Sequence, residues 1–209
     1  MSASATSASA PRTKRAWRKP RPAAGVRLGM ATEILTERLR LREWRDDPAE
    51  VDALHAVLSD PETMKLWPAP FDRDGCATWL ANVRQSYEKH GYGRFAVEIR
   101  ETGQLIGDCG LFPGRIGEWS FVDIGWILHA DHHGKGYATE AARAIIDHAF
   151  STLGLTELVA HMAEEHAASR RVAERLGMKF IHAQPYERNL GKTHTFFRLT
   201  PEMWASAAE

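Results

Sequence analysis

The sequence predicts an α+β domain built on a mostly antiparallel sheet. Hydrophobic residues make up 44% of the 209-residue chain and charged residues 26%, which is the composition of an ordinary globular protein. Three strand-like segments follow one another in the middle of the chain with no helix between them, which indicates an antiparallel meander. Helical segments precede and follow this meander, so neither an all-β nor a regularly alternating βα architecture fits.

The first elements begin after residue 33. Residues 34–44 (ILTERLRLREW) alternate apolar and polar side chains and therefore predict a strand. Asp47 followed by Pro48 is typical of a helix start, because the aspartate caps free N–H groups and proline suits the first helical position. A second helix is expected to begin near Asp74 and to end near Gly91.

The central meander consists of three predicted strands. They are expected over 94–100, 104–112 and 119–128, with turns over 101–103 and 113–118. The last of the three is the longest and the most apolar.

Helices and strands alternate in the rest of the chain. A long helix is predicted over 137–155, a strand over 155–162 and a short helix over 168–177. Two final strands are expected over 178–184 and 193–200. The prediction is therefore about seven strands and four helices, with no internal repeat.

The first 29 residues differ in charge from the remainder. They contain seven basic residues and no acidic one, and they are rich in Ser, Ala and Pro. Because such a segment has little to bury, we expect a disordered basic leader over 1–29 and a single domain over 30–209. A transit peptide and a start of translation at Met30 are alternative interpretations of the same segment.

Charge and composition exclude several function classes. Without the seven leader cations, 20 basic residues face 27 acidic ones, so the domain is acidic and we expect no specific nucleic-acid partner. No apolar run reaches 18 residues, so no membrane partner is expected either. Two cysteines, Cys76 and Cys109, suit a reducing cytoplasm. We expect a monomer or a homodimer.

A glycine-rich segment, residues 134–139 (GKGYAT), lies between the longest strand and the long helix. Two glycines allow a tight turn, and the N–H groups at the start of the following helix can hold a pyrophosphate. A dinucleotide-binding fold would need glycine at 139, where Thr stands, and a parallel βαβ setting. A P-loop ending at Gly191-Lys192-Thr193 would need glycine where Tyr186 stands.

A loop of this kind also occurs in a third group of proteins, a family of acetyltransferases. The segments TERLRLR, LIGDCGL, DIGWIL, HHGKGYATEAARAIIDHAF and ASRRVAERLGM resemble the GNAT superfamily of acetyl-CoA-dependent N-acetyltransferases, and its RimJ/RimL-like branch most closely. The resemblance runs from about Thr32 to Thr200. It implies a twisted, mostly antiparallel sheet flanked by helices, whose two central parallel strands splay apart to admit the cosubstrate acetyl-CoA.

The resemblance also implies which residues bind acetyl-CoA. They lie at the end of the longest strand, in the glycine-rich loop and at the start of the late helix: Trp126, Ile127, Leu128, His133, Gly134, Lys135, Gly136, Tyr137, Ala138, Thr139, His166 and Ser169. His133 stands where the family usually has Arg or Gln, which is a mild departure because backbone N–H groups do most of the holding. His166 stands where the family has Asn, and Ser169 could equally be a helix cap.

The chemistry requires a neutral amine and therefore a group that removes a proton. Strand carboxylates are the candidates: Asp123, then Glu98, with Asp108 as a third. Asp123 shares a strand face with Gly125 and Ile127, while each carboxylate could instead pair with an arginine or face water. A backbone N–H near Ile127 is expected to meet the acyl oxygen.

A proton donor for the leaving thiolate is expected on the late helix. Many relatives use a tyrosine there, but this helix has none, so Ser169 is the candidate. His129, His132 and His133 cluster beside the loop, but their spacing does not match a metal site, and we expect no metal.

The acceptor is the least determined part of the prediction. The branch resemblance favours an N-terminal amino group of a protein or peptide, with a small amine, amino acid or antibiotic as alternatives. Loop 67–72 and the side chains of Trp67, Trp79, Trp119 and Trp126 are candidates for the pocket wall, although large aromatic residues equally suit a core. A different class also fits: a GNAT-like protein that binds acyl-CoA without catalysis and acts as a sensor or scaffold.

Overall fold

The computed structural model describes residues 33–207. In this part of the chain eight strands form one sheet, and five α-helices accompany it, with helices packed on both faces. The strands are β1 Glu33–Leu35, β2 Leu39–Arg42, β3 Arg94–Ile99, β4 Leu105–Ile116, β5 Trp119–Leu128, β6 Leu158–Ala163, β7 Lys179–Pro185 and β8 Thr193–Leu199. The helices are α1 Pro48–Leu58, α2 Arg73–His90, α3 Tyr137–Asp147, α4 Ala167–Arg175 and α5 Pro201–Ala207. The predicted leader over 1–29 lies outside the described residues.

The sheet is antiparallel except at its centre. Its strand order is β1-β2-β3-β4-β5-β6-β8-β7, and β5 runs parallel to β6. These two strands share one bridged pair among the described residues, Asp123 with Val159, and diverge beyond it. The predicted class, α+β with splayed central parallel strands, is confirmed.

Two apolar layers hold the helices against the sheet. On one face, α3 and α4 pack through Ala141, Ile145 and Ala173 against alternate sheet residues such as Ile124. On the other face, α1 and α2 bury Leu54 and other apolar side chains against the sheet. Alternation along the strands therefore supplies a core on both sides of the sheet.

The helix boundaries follow the capping residues. Asp47 caps α1 by accepting a hydrogen bond from the Ala49 N–H, with Pro48 at the first helical position as predicted. Helix α2 begins one residue before the expected Asp74, because Asp72 caps it. It ends as predicted at Gly91, which has a left-handed φ of 73°.

Two strand predictions are wrong in detail. The expected strand over 34–44 is two short antiparallel strands, β1 and β2, so the count rises from seven to eight. The expected turn over 113–118 is confined to two residues, Gly117 and Glu118, because β4 continues through Pro113. As a result β4 has 12 residues and is longer than β5, which has 10 and was expected to be the longest strand.

Proline is tolerated within β4 because that part of the strand lies past the end of β3. The Leu111 N–H donates to the Gly93 carbonyl on the β3 side, and two residues later the Pro113 nitrogen points the same way, toward an open edge.

Two helix predictions also change. The expected helix over 137–155 ends as α-helix at Asp147 and continues as a π-helical turn over His148–Thr152. Helix α5, which the sequence analysis missed, packs Trp204 near α3 and donates its indole N–H to Asp147. Within residues 33–207, each helix is too short or too polar to cross a membrane.

Candidate active site

The glycine-rich loop presents free backbone N–H groups at the start of α3. Gly134 and Gly136 adopt left-handed φ values of 74° and 84°, which allow the chain to turn sharply into the helix. Gly136 occupies the cap position without a side-chain cap. No acceptor among the described residues takes the N–H groups of Tyr137, Ala138 or Thr139. The positive end of the α3 dipole and these donors together suit an anion.

Neighbouring elements hold this loop in place. Arg38 donates to the Lys135 carbonyl at 2.9 Å and forms an ion pair with Glu140 at 2.6 Å. Its guanidinium also lies 4.6 Å from the Tyr137 ring centroid. At the other end of the segment, the Ala130 N–H donates to the Thr63 hydroxyl at 2.8 Å. The loop is therefore shaped before any ligand arrives.

A cavity of about 270 Å³ lies between this loop, the end of β5 and the face of α4. Eleven of the twelve predicted acetyl-CoA-binding residues line it: Trp126, Ile127, Leu128, His133, Gly134, Gly136, Tyr137, Ala138, Thr139, His166 and Ser169. Lys135 is not among the lining residues. Arg171 and Arg175, which the sequence analysis did not single out, add two cations one helical turn apart. Their positive charge suits phosphate groups.

The structure assigns the capping of α4 to His166, whereas the sequence had suggested Ser169 as the cap. His166, not Ser169, caps α4, since its Nδ1 accepts the Ser169 N–H at 3.3 Å. With Nδ1 accepting, Nε2 carries the proton and donates to Ser169 Oγ at 3.2 Å. The Ser169 hydroxyl proton therefore stays available to the cavity. Burial lowers the pKa of His166, which favours the neutral ring that this geometry needs.

The histidines before the loop serve the backbone and the cavity. His133 Nε2 donates to the Leu128 carbonyl at 2.8 Å, which folds the loop back onto β5. His132 also lines the cavity, and its Nδ1 is buried without a partner among the described residues. An unsatisfied polar atom there fits a polar ligand. Among residues 33–207, no group of three or more His, Cys, Asp or Glu side chains could hold a metal ion.

A second cavity, of about 360 Å³, occupies the gap where β5 and β6 diverge. It shares the wall residues Trp67, Trp126, Ile127, His166 and Ser169 with the first cavity, so the two cavities adjoin. Ser169 lies at this junction, as a donor to a leaving group would need to.

Aromatic side chains form part of the wall of the second cavity. Trp67 and Trp79 line it, with ring centroids 6.1 Å apart, and Phe71 packs edge-on against both. Trp126 lines it as well. The fourth candidate, Trp119, lies at the opposite end of β5 and packs on Phe121 instead.

Asp123 is the predicted carboxylate that reaches the second cavity. Burial raises its pKa to about 7, although the nearby Arg94 guanidinium opposes the rise. Asp108 is fully buried and forms two hydrogen bonds with Arg94, at 2.7 and 2.9 Å. Because Asp108 is already paired, Asp123 is the carboxylate free to accept a proton.

Glu98 is not brought to either cavity. Its carboxylate accepts from Arg42 at 2.7 Å and lies 3.5 Å from Arg40, while Arg42 also binds Glu50 at 2.9 Å. These contacts connect β2, β3 and α1 in a largely buried ion network.

We therefore expect replacement of Glu98 by glutamine to act on stability. Arg42 would lose one of its two carboxylates, so the free energy of unfolding should fall by about 1–3 kcal/mol. Turnover per folded molecule should stay within about twofold, since such a loss of stability alone leaves the site intact. Urea unfolding and steady-state kinetics check the two expectations. A large loss of turnover in a fully folded variant would instead make Glu98 a catalytic residue.

The structure also brings in residues that sequence reasoning missed. His161 on β6, His194 on β8, and Tyr186, Arg188 and Asn189 between β7 and β8 line the second cavity. Residue types alone gave no signal, because the antiparallel pairing of β6 and β8 creates the cluster from segments about 30 residues apart.

Comparisons with known proteins agree with this geometry. Residues 38–179 match the model of the acetyltransferase (GNAT) domain family. The chain is 34% identical to the YkkB protein of Bacillus subtilis over 151 residues, which cover 71% of this chain and 86% of that protein.

Solved structures show the same fold. An acetyltransferase from Agrobacterium tumefaciens matches with a TM-score of 0.67 and 29% identity, over 80% of this chain and 93% of that one. The ribosomal-protein-S5-alanine acetyltransferase of Vibrio fischeri shares the fold at 16% identity, with a TM-score of 0.66 over 82% of this chain and 98% of that one.

Proposed function

The chain belongs to the GNAT acetyltransferase family, and from this premise we propose that it moves the acetyl group of acetyl-CoA directly onto a primary amine. The observation that carries the proposal is that the two cavities adjoin, with Trp126, His166 and Ser169 in their shared wall. One cavity has the donors and cations that a phosphate-bearing ligand needs, and the other has a free carboxylate.

The first cavity suits acetyl-CoA. The free N–H groups at the start of α3, the two α4 arginines and the orphaned His132 Nδ1 would hold its phosphates and polar groups. Gly134 has nothing within 4 Å of the position a Cβ would take, so a bulky ligand can approach its backbone. When bound, acetyl-CoA supplies an acetyl group activated as a thioester. No metal is included in the proposal.

On the acceptor side, Asp123 takes the proton from the amine, directly or through one water molecule. A pKa near 7 suits this work, because a base is most effective when its pKa lies close to the working pH. The backbone of β5 near Ile127 provides a donor for the acyl oxygen. As the C–N bond forms and the C–S bond breaks, Ser169 gives its hydroxyl proton to the departing sulfur and regains a proton from the nitrogen of the new amide, directly or through water.

The acceptor we favour is an α-amino group of a protein or peptide. This finer proposal rests on the RimJ/RimL-like sequence segments and on the fold shared with a ribosomal-protein acetyltransferase. A small amine is the alternative. We expect the protein to act in the cytoplasm, since Cys76 and Cys109 are both free thiols.

Thiol release with acetyl-CoA and a panel of N-terminal peptides and small amines tests the proposal. Acetylated product identified by mass spectrometry on at least one amine is the expected result. Tight binding of acetyl-CoA with no turnover on any amine would favour the sensor or scaffold alternative. Absence of any heat on titrating acetyl-CoA would overturn the binding proposal itself.

Replacing Ser169 by alanine should lower kcat by about tenfold to a hundredfold, because a positioned proton donor is lost. The coenzyme thiol has an ordinary pKa of about 8.5, so water replaces the donor in part. Helix α4 should remain capped, since His166 binds the backbone N–H of residue 169 and not its side chain. Steady-state kinetics with a thermal melt measure both effects. Ser206→Ala, on α5 and outside both cavities, is the matched control, and equal rates for the two variants would argue against the role.

A further inference from the structure

A chain of polar side chains runs from the loop before β8 to the carboxylate of Asp123. Asn189 Nδ2 lies 2.9 Å from His194 Nε2, and His194 Nδ1 lies 3.0 Å from His161 Nδ1. His161 Nε2 then faces Asp123 Oδ1 at 3.7 Å. Asn189 and His194 are buried, so water does not replace these contacts freely.

The direction of this chain is set at its Asn189 end. Asn189 Nδ2 also donates to the Leu66 carbonyl at 3.1 Å, and a carbonyl can only accept, so the amide cannot be turned over. His194 Nε2 must therefore accept the second Asn189 proton, which leaves the His194 proton on Nδ1. That proton is donated to His161 Nδ1, and the His161 proton then has to sit on Nε2, on the side of Asp123.

Aromatic packing fixes the ring of His161 in this direction. Phe196 stacks on it with centroids 5.2 Å apart and planes 22° apart, and Tyr186 packs against it at 4.8 Å. Burial lowers the pKa of both His161 and His194 to about 4, so the neutral forms that this chain requires prevail at neutral pH.

We propose that His161 is a positioning residue that presents its Nε2–H to the carboxylate of Asp123, and that His194 and Asn189 hold it in that tautomer. The inference rests on the proposed function, in which Asp123 accepts the amine proton. At 3.7 Å the Nε2–H acts on one carboxylate oxygen through electrostatic attraction and not through a direct hydrogen bond, and the other oxygen is left to the acceptor. Because Nε2 carries a proton, His161 itself is not the base.

The other charged or titratable groups around Asp123 do not replace this contact. Arg94, on β3, acts on Asp123 electrostatically but spends its hydrogen bonds on Asp108. Tyr186 and Arg188 face the same space from the β7–β8 connection. This leaves His161 as the group that faces the Asp123 carboxylate from β6, the strand that diverges from β5 beside Asp123.

The tautomers are measurable without any activity. In long-range ¹⁵N–¹H spectra of the full-length protein near pH 7, His161 should show a protonated Nε2 and a bare Nδ1, and His194 the reverse. In the His194→Leu variant, His161 loses the partner of Nδ1 and should become a mixture of tautomers. A His161 ring protonated at Nδ1 in the unaltered protein would overturn the inference while leaving the proposed acetyl transfer untouched.

Kinetics test what this orientation does for the base. His161→Leu should move the acid limb of the kcat/KM profile up by about one pH unit, because an N–H that stabilises the carboxylate is lost. The rate should then fall about tenfold at pH 6 and recover above pH 9. His161→Gln, whose amide N–H can take the place of Nε2, should restore most of the shift. An unmoved limb in the leucine variant, or no rescue by glutamine, would overturn the inference.

The matched control is His182→Leu. His182 stacks on the same Phe196 ring, with centroids 4.8 Å apart, but lines neither cavity. The acid limb of the kcat/KM profile of the His182→Leu variant should coincide with that of the unaltered protein. A shift equal to that of His161→Leu would mean that the shift comes from altered packing on Phe196 alone, and it would overturn the inference. If no amine is acetylated at all, the proposed function fails, whereas the spectra still decide the orientation of His161.

Discussion

Replacing Asp123 by asparagine is expected to lower kcat by about a hundredfold to ten-thousandfold, the usual contribution of a positioned general base. Asparagine keeps the size of the side chain but cannot take a proton from an ammonium group. Asp123 lines the second cavity and is not among the residues lining the first, so the Kd for acetyl-CoA should change by less than about twofold. Rapid-mixing kinetics and calorimetry with acetyl-CoA separate the two quantities.

The ionisation of Asp123 should also be visible in the pH dependence of the rate of the unaltered protein. Asp123 can accept a proton only when it is ionised, and burial raises its pKa to about 7. The rate should therefore be high above pH 7 and fall about tenfold for each pH unit below it. Asp123→Asn should lose this limb and keep only the dependence that comes from the amine itself.

An exposed carboxylate provides the control for this substitution. Asp46 lines neither cavity, and its side chain is 89% exposed. Asp46→Asn should retain full activity and the acid limb near pH 7. An Asp123→Asn variant that keeps both would remove Asp123 from the mechanism.

Replacing Gly136 by valine is expected to weaken acetyl-CoA binding by about tenfold to a hundredfold, the equivalent of losing one or two charge-assisted hydrogen bonds. The residue has a φ of 84°, and an added Cβ would lie 3.3 Å from Arg38 Nη2. A β-branched side chain would push the backbone out of this region and turn the α3 N–H groups away from the ligand. Isothermal titration with acetyl-CoA measures the loss directly.

Backbone strain alone must be separated from loss of the binding loop. Gly103, in the turn between β3 and β4, has a similar φ of 70° and nothing within 4 Å of an added Cβ. The Gly103→Val variant should therefore lose about 1–2 kcal/mol in its free energy of unfolding, as Gly136→Val should, but it should bind acetyl-CoA normally. Equal affinities for the two valine variants would mean that residues 134–139 do not hold the cosubstrate.

Local signals explain why much of the fold could be predicted. Asp47, Pro48 and Gly91 act within one helical turn of their own position, so the sequence around them contains the whole interaction. The apolar segment over residues 119–128 likewise indicated a strand of the observed length. Errors arose where a neighbouring strand decides the outcome, as at Pro113, whose place in β4 depends on where β3 begins.

The candidate site likewise has a part that depends on local sequence and a part that depends on strand pairing. The glycine-rich loop depends on two glycines and the helix after them, and its residues were predicted from the sequence and by family resemblance. The surroundings of Asp123 were not, because His161 and His194 meet only through the register of β6 and β8. His166 was misjudged for another reason, since histidine is an uncommon helix cap whose Nδ1 takes the place of an asparagine oxygen.

The single bridged pair between β5 and β6 gives this sheet an inner border as well as its two outer ones. An outer border is open to any passing strand, with aggregation as the hazard. The inner border lies inside the sheet, covered on one face by α3 and α4, and its unpaired hydrogen-bonding groups border the second cavity. The fold thus leaves an unpaired strand edge inside the sheet, and a narrow ligand can lie along it between β5 and β6.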